Sequence, residues 1–167
     1  MKILNGLFII ITLMTGCSKD DDTNRDQQFV LDNGIEISIL NAQDEDLLNP
    51  ANRNAYSFNE MKLFFLIKGE KKEVYNINAD QPRNLFLFNK TKPYKLGVGT
   101  YEGIENFTSK EKDVITGEHI AYLELSDTDT DTIRTLWEYK ENFYFRNIKV
   151  WYNGKEYDKD QGLVIRK

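Results

Sequence analysis

The sequence predicts an all-β domain, an immunoglobulin-like antiparallel β-sandwich of about nine short strands. Three observations carry this expectation. Apolar and polar residues alternate in Ile35–Ile39, His119–Leu125 and Thr132–Tyr139, the period of a strand with one buried face. Turn-forming residues recur between such runs, at Asp32-Asn33-Gly34, Lys68-Gly69 and Asn153-Gly154. The longer runs lack the period of an amphipathic helix. One helical turn over Ser57–Leu63, with Ser57 and Glu60 spaced as a capping box, is the most expected. A single barrel is the alternative arrangement of the same strands.

In chain order, Phe29-Val30-Leu31 is a short strand that Asp32-Asn33-Gly34 is expected to reverse into Ile35–Ile39. Residues 41–54 are rich in turn formers. Met61–Ile67 is a stronger strand, turned at Lys68–Lys71 and returning over Lys72–Ile77, where Val74 and Tyr75 favour an extended backbone. Asn84–Asn89 is a further short strand, stopped by Lys92-Pro93 and followed by Tyr94–Tyr101. Residues 102–117 are mixed and polar and read as a loop. In Thr132–Tyr139, Ile133, Thr135, Trp137 and Tyr139 share one face, and Arg134, Leu136 and Glu138 the other. Phe143–Tyr152 is aromatic and β-branched, Lys155–Tyr157 returns after Asn153-Gly154, and Leu163-Val164-Ile165 closes the domain.

The N-terminus is organised differently. Lys2 precedes a compact apolar run, Leu7–Met14, which is too short to cross a bilayer as a stable helix. Small residues, Thr15 and Gly16, then lead into Cys17, the chain's one cysteine. This is the anatomy of a cleaved secretory leader, and it divides the chain into a signal peptide (1–16), a tether (17–28) and one domain (29–167). The tether lacks aliphatic and aromatic residues, so it buries no apolar area to offset its chain entropy and is expected to be disordered. One cysteine allows no intramolecular disulfide. With 22 basic and 27 acidic side chains the formal net charge is −5, and no basic cluster offers phosphates a counter-surface. Nucleic acid is therefore not expected as a partner.

Met14-Thr15-Gly16-Cys17 resembles the lipobox of bacterial lipoproteins, with Met14 in the place usually held by Leu. The resemblance implies that Cys17 becomes the N-terminus and carries a diacylglycerol and an N-acyl chain, which together anchor the protein in a bilayer. Ser18, Lys19, Asp20, Asp21 and Asp22 resemble the export signal of surface lipoproteins of the Bacteroidota. That resemblance implies an outer-membrane protein facing outward, with the periplasmic leaflet as the alternative. The segment Asp46-Leu47-Leu48-Asn49-Pro50, ahead of an aromatic strand and a Gly-centred hairpin, is similar to the small uncharacterised β-domains of such lipoproteins.

Few residues suggest chemistry. His119 is the sole histidine, and neither a partner nor a nucleophile elbow accompanies it. Asp127, Asp129 and Asp131 alternate with threonines and could aim carboxylates at Ca²⁺. Thr132 stands where an EF-hand needs glycine, so the segment reads as a hairpin turn and no metal or other cofactor is expected. Asp44-Glu45-Asp46 is a second acidic group, and Asp131-Thr132-Ile133 resembles the short O-glycosylation sequon of the Bacteroidota. The aromatic C-terminal strands offer Tyr144, Trp151 and Tyr152 as residues that could stack on a ligand. These features describe a lipid-anchored, non-catalytic module that binds an outer-membrane protein or a glycan. The alternative is a structural or assembly accessory of the outer membrane without a soluble ligand.

Overall fold

A computed structural model describes residues 28–104 and 107–167. The leader, Cys17 and the segment Ser18–Asp22 lie outside the described residues. The rest is a two-sheet β-sandwich of twelve strands: β1 (Val30–Asp32), β2 (Gly34–Leu40), β3 (Lys62–Ile67), β4 (Glu70–Glu73), β5 (Leu85–Phe88), β6 (Lys95–Gly99), β7 (Phe107–Glu111), β8 (Val114–Ser126), β9 (Asp129–Lys140), β10 (Tyr144–Tyr152), β11 (Lys155–Tyr157) and β12 (Leu163–Arg166). A single 3₁₀ turn, Lys159–Gln161, precedes the last strand. The expected turn at Ser57 is only that: the Glu60 amide donates to the Ser57 carbonyl, and β3 begins two residues later.

The larger sheet runs β1-β10-β9-β8-β3-β4, with β11 and β7 completing the edges of β10 and β8. Its centre is the long hairpin of β8 and β9, paired from Val114↔Lys140 to Ser126↔Asp129. The smaller sheet runs β12-β2-β6-β5. Both sheets are mixed rather than purely antiparallel, because β1 runs parallel to β10 and β12 parallel to β2. β7, which falls in the stretch read as a loop, is a strand beyond those the sequence pattern named.

Two connections differ from the sequence expectation. Asp32-Asn33-Gly34 does not reverse the chain; β1 belongs to the larger sheet and β2 to the smaller, so Asn33 is a corner between them. The corner is pinned where the Thr100 amide and hydroxyl both donate to the Asn33 carbonyl, at 2.9 and 2.7 Å. The polar stretch 102–117 is not one loop either. Its described residues include β7 and the start of β8, joined by a tight turn at Lys112-Asp113. A strand with both faces exposed, as β7 is, shows no apolar alternation by which to recognise it.

The core lies between the sheets. Ile35, Ile37 and Ile39 of β2, Leu85 of β5, and Leu96 and Val98 of β6 meet Leu63 and Phe65 of β3, Ala121, Leu123 and Leu125 of β8, and Ile133 of β9. Leu47, Leu48 and Met61 join the same core from the β2–β3 connection. The Asp46 carboxylate holds that connection by accepting from the amides of Leu48 and Tyr94 at 2.9 and 2.7 Å. Farther along the larger sheet, buried Trp137 stacks on Phe145 at 5.3 Å, and Tyr101 meets Phe145 edge-on at 4.7 Å.

Candidate functional site

The two acidic groups are occupied from within the protein. Asp129 and Asp131 lie two residues apart on β9, so their carboxylates project to the same side. The Lys167 ammonium sits 2.7 Å from an oxygen of each. The hydroxyl of Tyr56 donates to Asp129 at 2.5 Å, that of Tyr152 to Asp131 at 2.5 Å, and the Asn153 amide to Asp131 at 2.6 Å. Burial works to raise the Asp129 pKa, but the bonds from Lys167 and Tyr56 outweigh it and hold the carboxyl below its ordinary value. Burial acts on Lys167 in the opposite sense and is likewise outweighed, so the lysine is held above its ordinary value. Asp127 sits in the β8–β9 turn. The cation that the alternating aspartates hold is thus a side-chain ammonium. In the other group, Asp46 bonds backbone amides, Glu45 accepts from Asn41, and Asp44 pairs with Arg166. Among the described residues no set of three His, Cys, Asp or Glu is placed to hold a metal ion. Thr132, the sequon position, lies within β9 opposite Tyr122.

His119 is buried on β8, with Nδ1 3.0 Å from the Thr100 carbonyl and Nε2 2.9 Å from the Gly103 carbonyl. Its ring lies 5.2 Å from Trp137. A neutral imidazole donates to only one of two carbonyls. Even so, burial dominates and holds its pKa below the ordinary 6.5. With both nitrogens facing backbone oxygens and no exposed edge, this histidine ties the segment after β6 to the larger sheet.

The C-terminal aromatics divide differently from the sequence expectation. Tyr152 is only 2% exposed and belongs to the core, so it cannot stack on a surface ligand. A bulge at Ile148, between Asn147↔Trp137 and Lys149↔Leu136, is the cause. Phe145 and Asn147 point inward before it, Val150 and Tyr152 after it. One inserted residue reverses the parity that strict alternation assigns. Tyr144 and Trp151 do lie on the outer face, but each carries a cation. The Arg134 guanidinium stands 3.8 Å from the Trp151 ring centroid, and that of Arg146 4.6 Å from Tyr144. The Tyr144 hydroxyl also donates to Glu138.

An aromatic surface of the kind sought there is found instead on the outer face of the smaller sheet. Phe86 and Phe88 of β5 are 38% and 47% exposed, with rings 6.5 Å apart and only 13° from parallel. Phe86 pairs with Gly97 of β6, and Asn84 stands opposite Gly99. The Phe88 ring leans over Gly97 so closely that a Cβ there would come within 2.7 Å of Cε2. The glycine is what lets the ring lie down on the sheet. Beside the rings runs an open groove of about 460 Å³, walled by Leu31, Asn33, Glu36 and Asn84. Glu36 and Phe88 also border a second hollow of about 340 Å³, so the concave surface continues toward Lys95. In the sequence, Asn84–Asn89 reads only as a strand. The signal available was in its neighbour, where Gly97 and Gly99 alternate with Leu96 and Val98 and leave one face without side chains.

Together, the fold and this surface define a two-sheet β-sandwich with an open aromatic groove on its smaller sheet. No family model matches the chain, and neither a curated protein nor a solved structure matches it.

Proposed function

We propose that the protein is a lipid-anchored outer-membrane lipoprotein, facing outward, whose β-domain is a non-catalytic module binding a protein or a glycan through the outer face of the smaller sheet. The observation that carries the binding role is the exposed, near-parallel Phe86–Phe88 pair beside an open groove. Large apolar side chains grouped at a concave surface favour a ligand that shields them from water. The non-catalytic reading is supported by His119, whose ring nitrogens are both engaged by backbone carbonyls. Anchoring rests on the order Lys2, Leu7–Met14, Cys17, and outward placement on Lys19-Asp20-Asp21-Asp22.

A screen of the full chain against protein and glycan ligands, beside the Phe86→Ala/Phe88→Ala double variant, tests the binding role. A ligand lost in the double variant supports it, and the lack of any ligand in both classes refutes it. Anchoring has a separate test. Cys17→Ala is expected to release the protein from membranes and abolish palmitate labelling; retention of both refutes lipidation.

A further inference from the structure

We infer that the groove on the smaller sheet takes an uncharged glycan, with Phe86 and Phe88 as stacking surfaces and Asn33 and Asn84 as hydrogen-bonding groups. This rests on the proposed binding role and specifies its ligand class.

Three observations point to this chemistry. The first is the shape of the aromatic surface. The Phe88 ring occupies the space above Gly97 that a side chain would otherwise fill, and it stays nearly half exposed. Its neighbour Phe86 is tilted from it by only 13°. The two rings line the open groove and present exposed, near-parallel faces along it. The flat apolar face of a sugar ring needs only such a platform.

The second is the polar lining. The Asn33 and Asn84 side chains border the groove, and their amides make no hydrogen bond among the described residues. A primary amide both donates and accepts. That suits hydroxyl groups, which also do both, better than it suits a purely anionic or cationic ligand.

The third is charge. The ionic groups of the main groove are paired, with Glu36 2.7 Å from Lys95 and Asp32 2.8 Å from Lys159, and Lys90 borders only the second hollow. These are exposed pairs that hold their charges only modestly, but an uncharged ligand makes its contacts without displacing any of them.

Affinity electrophoresis of the detergent-solubilised full chain tests the inference. The gels would contain amylopectin, laminarin, galactomannan or xyloglucan, with polygalacturonate as the anionic comparison and a displayed library of extended peptides assayed in parallel. At least one uncharged polysaccharide should retard the protein. Phe88→Ala should weaken that retardation at least about tenfold. Gly97→Ala, which displaces the Phe88 ring without removing it, should weaken it in the same direction. Trp151→Ala, on the opposite sheet, should leave it unchanged. Phe88 is largely outside the core, so its truncation should leave the circular dichroism spectrum intact. Retardation by polygalacturonate alone, or retardation unaffected by Phe88→Ala, would overturn the inference. Peptide binding alone that depends on Phe86 and Phe88 would overturn the sugar class but leave the binding role standing. No ligand of any class would overturn both.

Discussion

Lys167 illustrates how one side chain can settle the meaning of a motif. Its ammonium bridges Asp129 and Asp131, and the Asp131 side chain is almost wholly buried. Removing the cation leaves two carboxylates close together with only hydroxyl and amide donors to compensate. Lys167→Ala is therefore expected to destabilise the domain by about 2 kcal/mol, below the loss for a fully buried pair because the lysine is partly solvated. The urea midpoint would measure this, and an unchanged midpoint would refute the role given to the lysine. His119 gives a pH dependence with a defined sign. Its folded pKa is lowered by burial, so above about pH 6.5 the folded and unfolded chains are both neutral there and no dependence arises. As pH falls below 6.5 the unfolded chain takes up a proton that the folded one resists, and stability is lost. Wild type should weaken between pH 7 and 5, and His119→Asn should show a shallower slope. An identical slope in both would assign the effect to other groups.

Turns and bulges decide how the strands are used. Asn153-Gly154 and Asn33-Gly34 look alike in the sequence, yet only the first is a hairpin turn. Asn153 and Gly154 both have positive φ, 48° and 81°, as a two-residue hairpin requires. Gly34 is outside the positive-φ region and has open space where a Cβ would go. Gly154→Ala should cost about 1 kcal/mol, whereas Gly34→Ala should be close to neutral. Equal losses in denaturant titrations would show that the two turns do not differ in this way. The bulge at Ile148 acts on the same scale. It places Tyr152 in the core and Trp151 on the surface, a choice no period-two pattern contains. β5 and β6 show the converse, since the glycines of one strand make sense only beside the phenylalanines of the other.

The whole molecule is held by a core that both sheets supply, so neither sheet is expected to unfold alone. Leu123, in the second half of β8, is fully buried in the core that both sheets supply. Leu123→Ala should cost about 3 kcal/mol, and fluorescence and circular dichroism should still report one coincident transition. Separate transitions for the two probes would contradict a shared core. At this scale much was legible in the residues themselves: the all-β class, the second half of β8, the long strands β9 and β10, the hairpins at Lys68-Gly69 and Asn153-Gly154, and the inward face of Ile133, Thr135 and Trp137. These follow from side-chain alternation and turn chemistry, which act over a few neighbouring residues. Tertiary structure alone decided that Asn33 is a corner between sheets, that Lys167 fills the space between two aspartates, and that the exposed aromatic surface belongs to Phe86 and Phe88. Each of these depends on which distant segments meet, and the partners lie from 11 residues apart (Phe86 and Gly97) to 67 apart (Asn33 and Thr100). Local periodicity states how a strand is faced, but it carries no information about what will lie against that face.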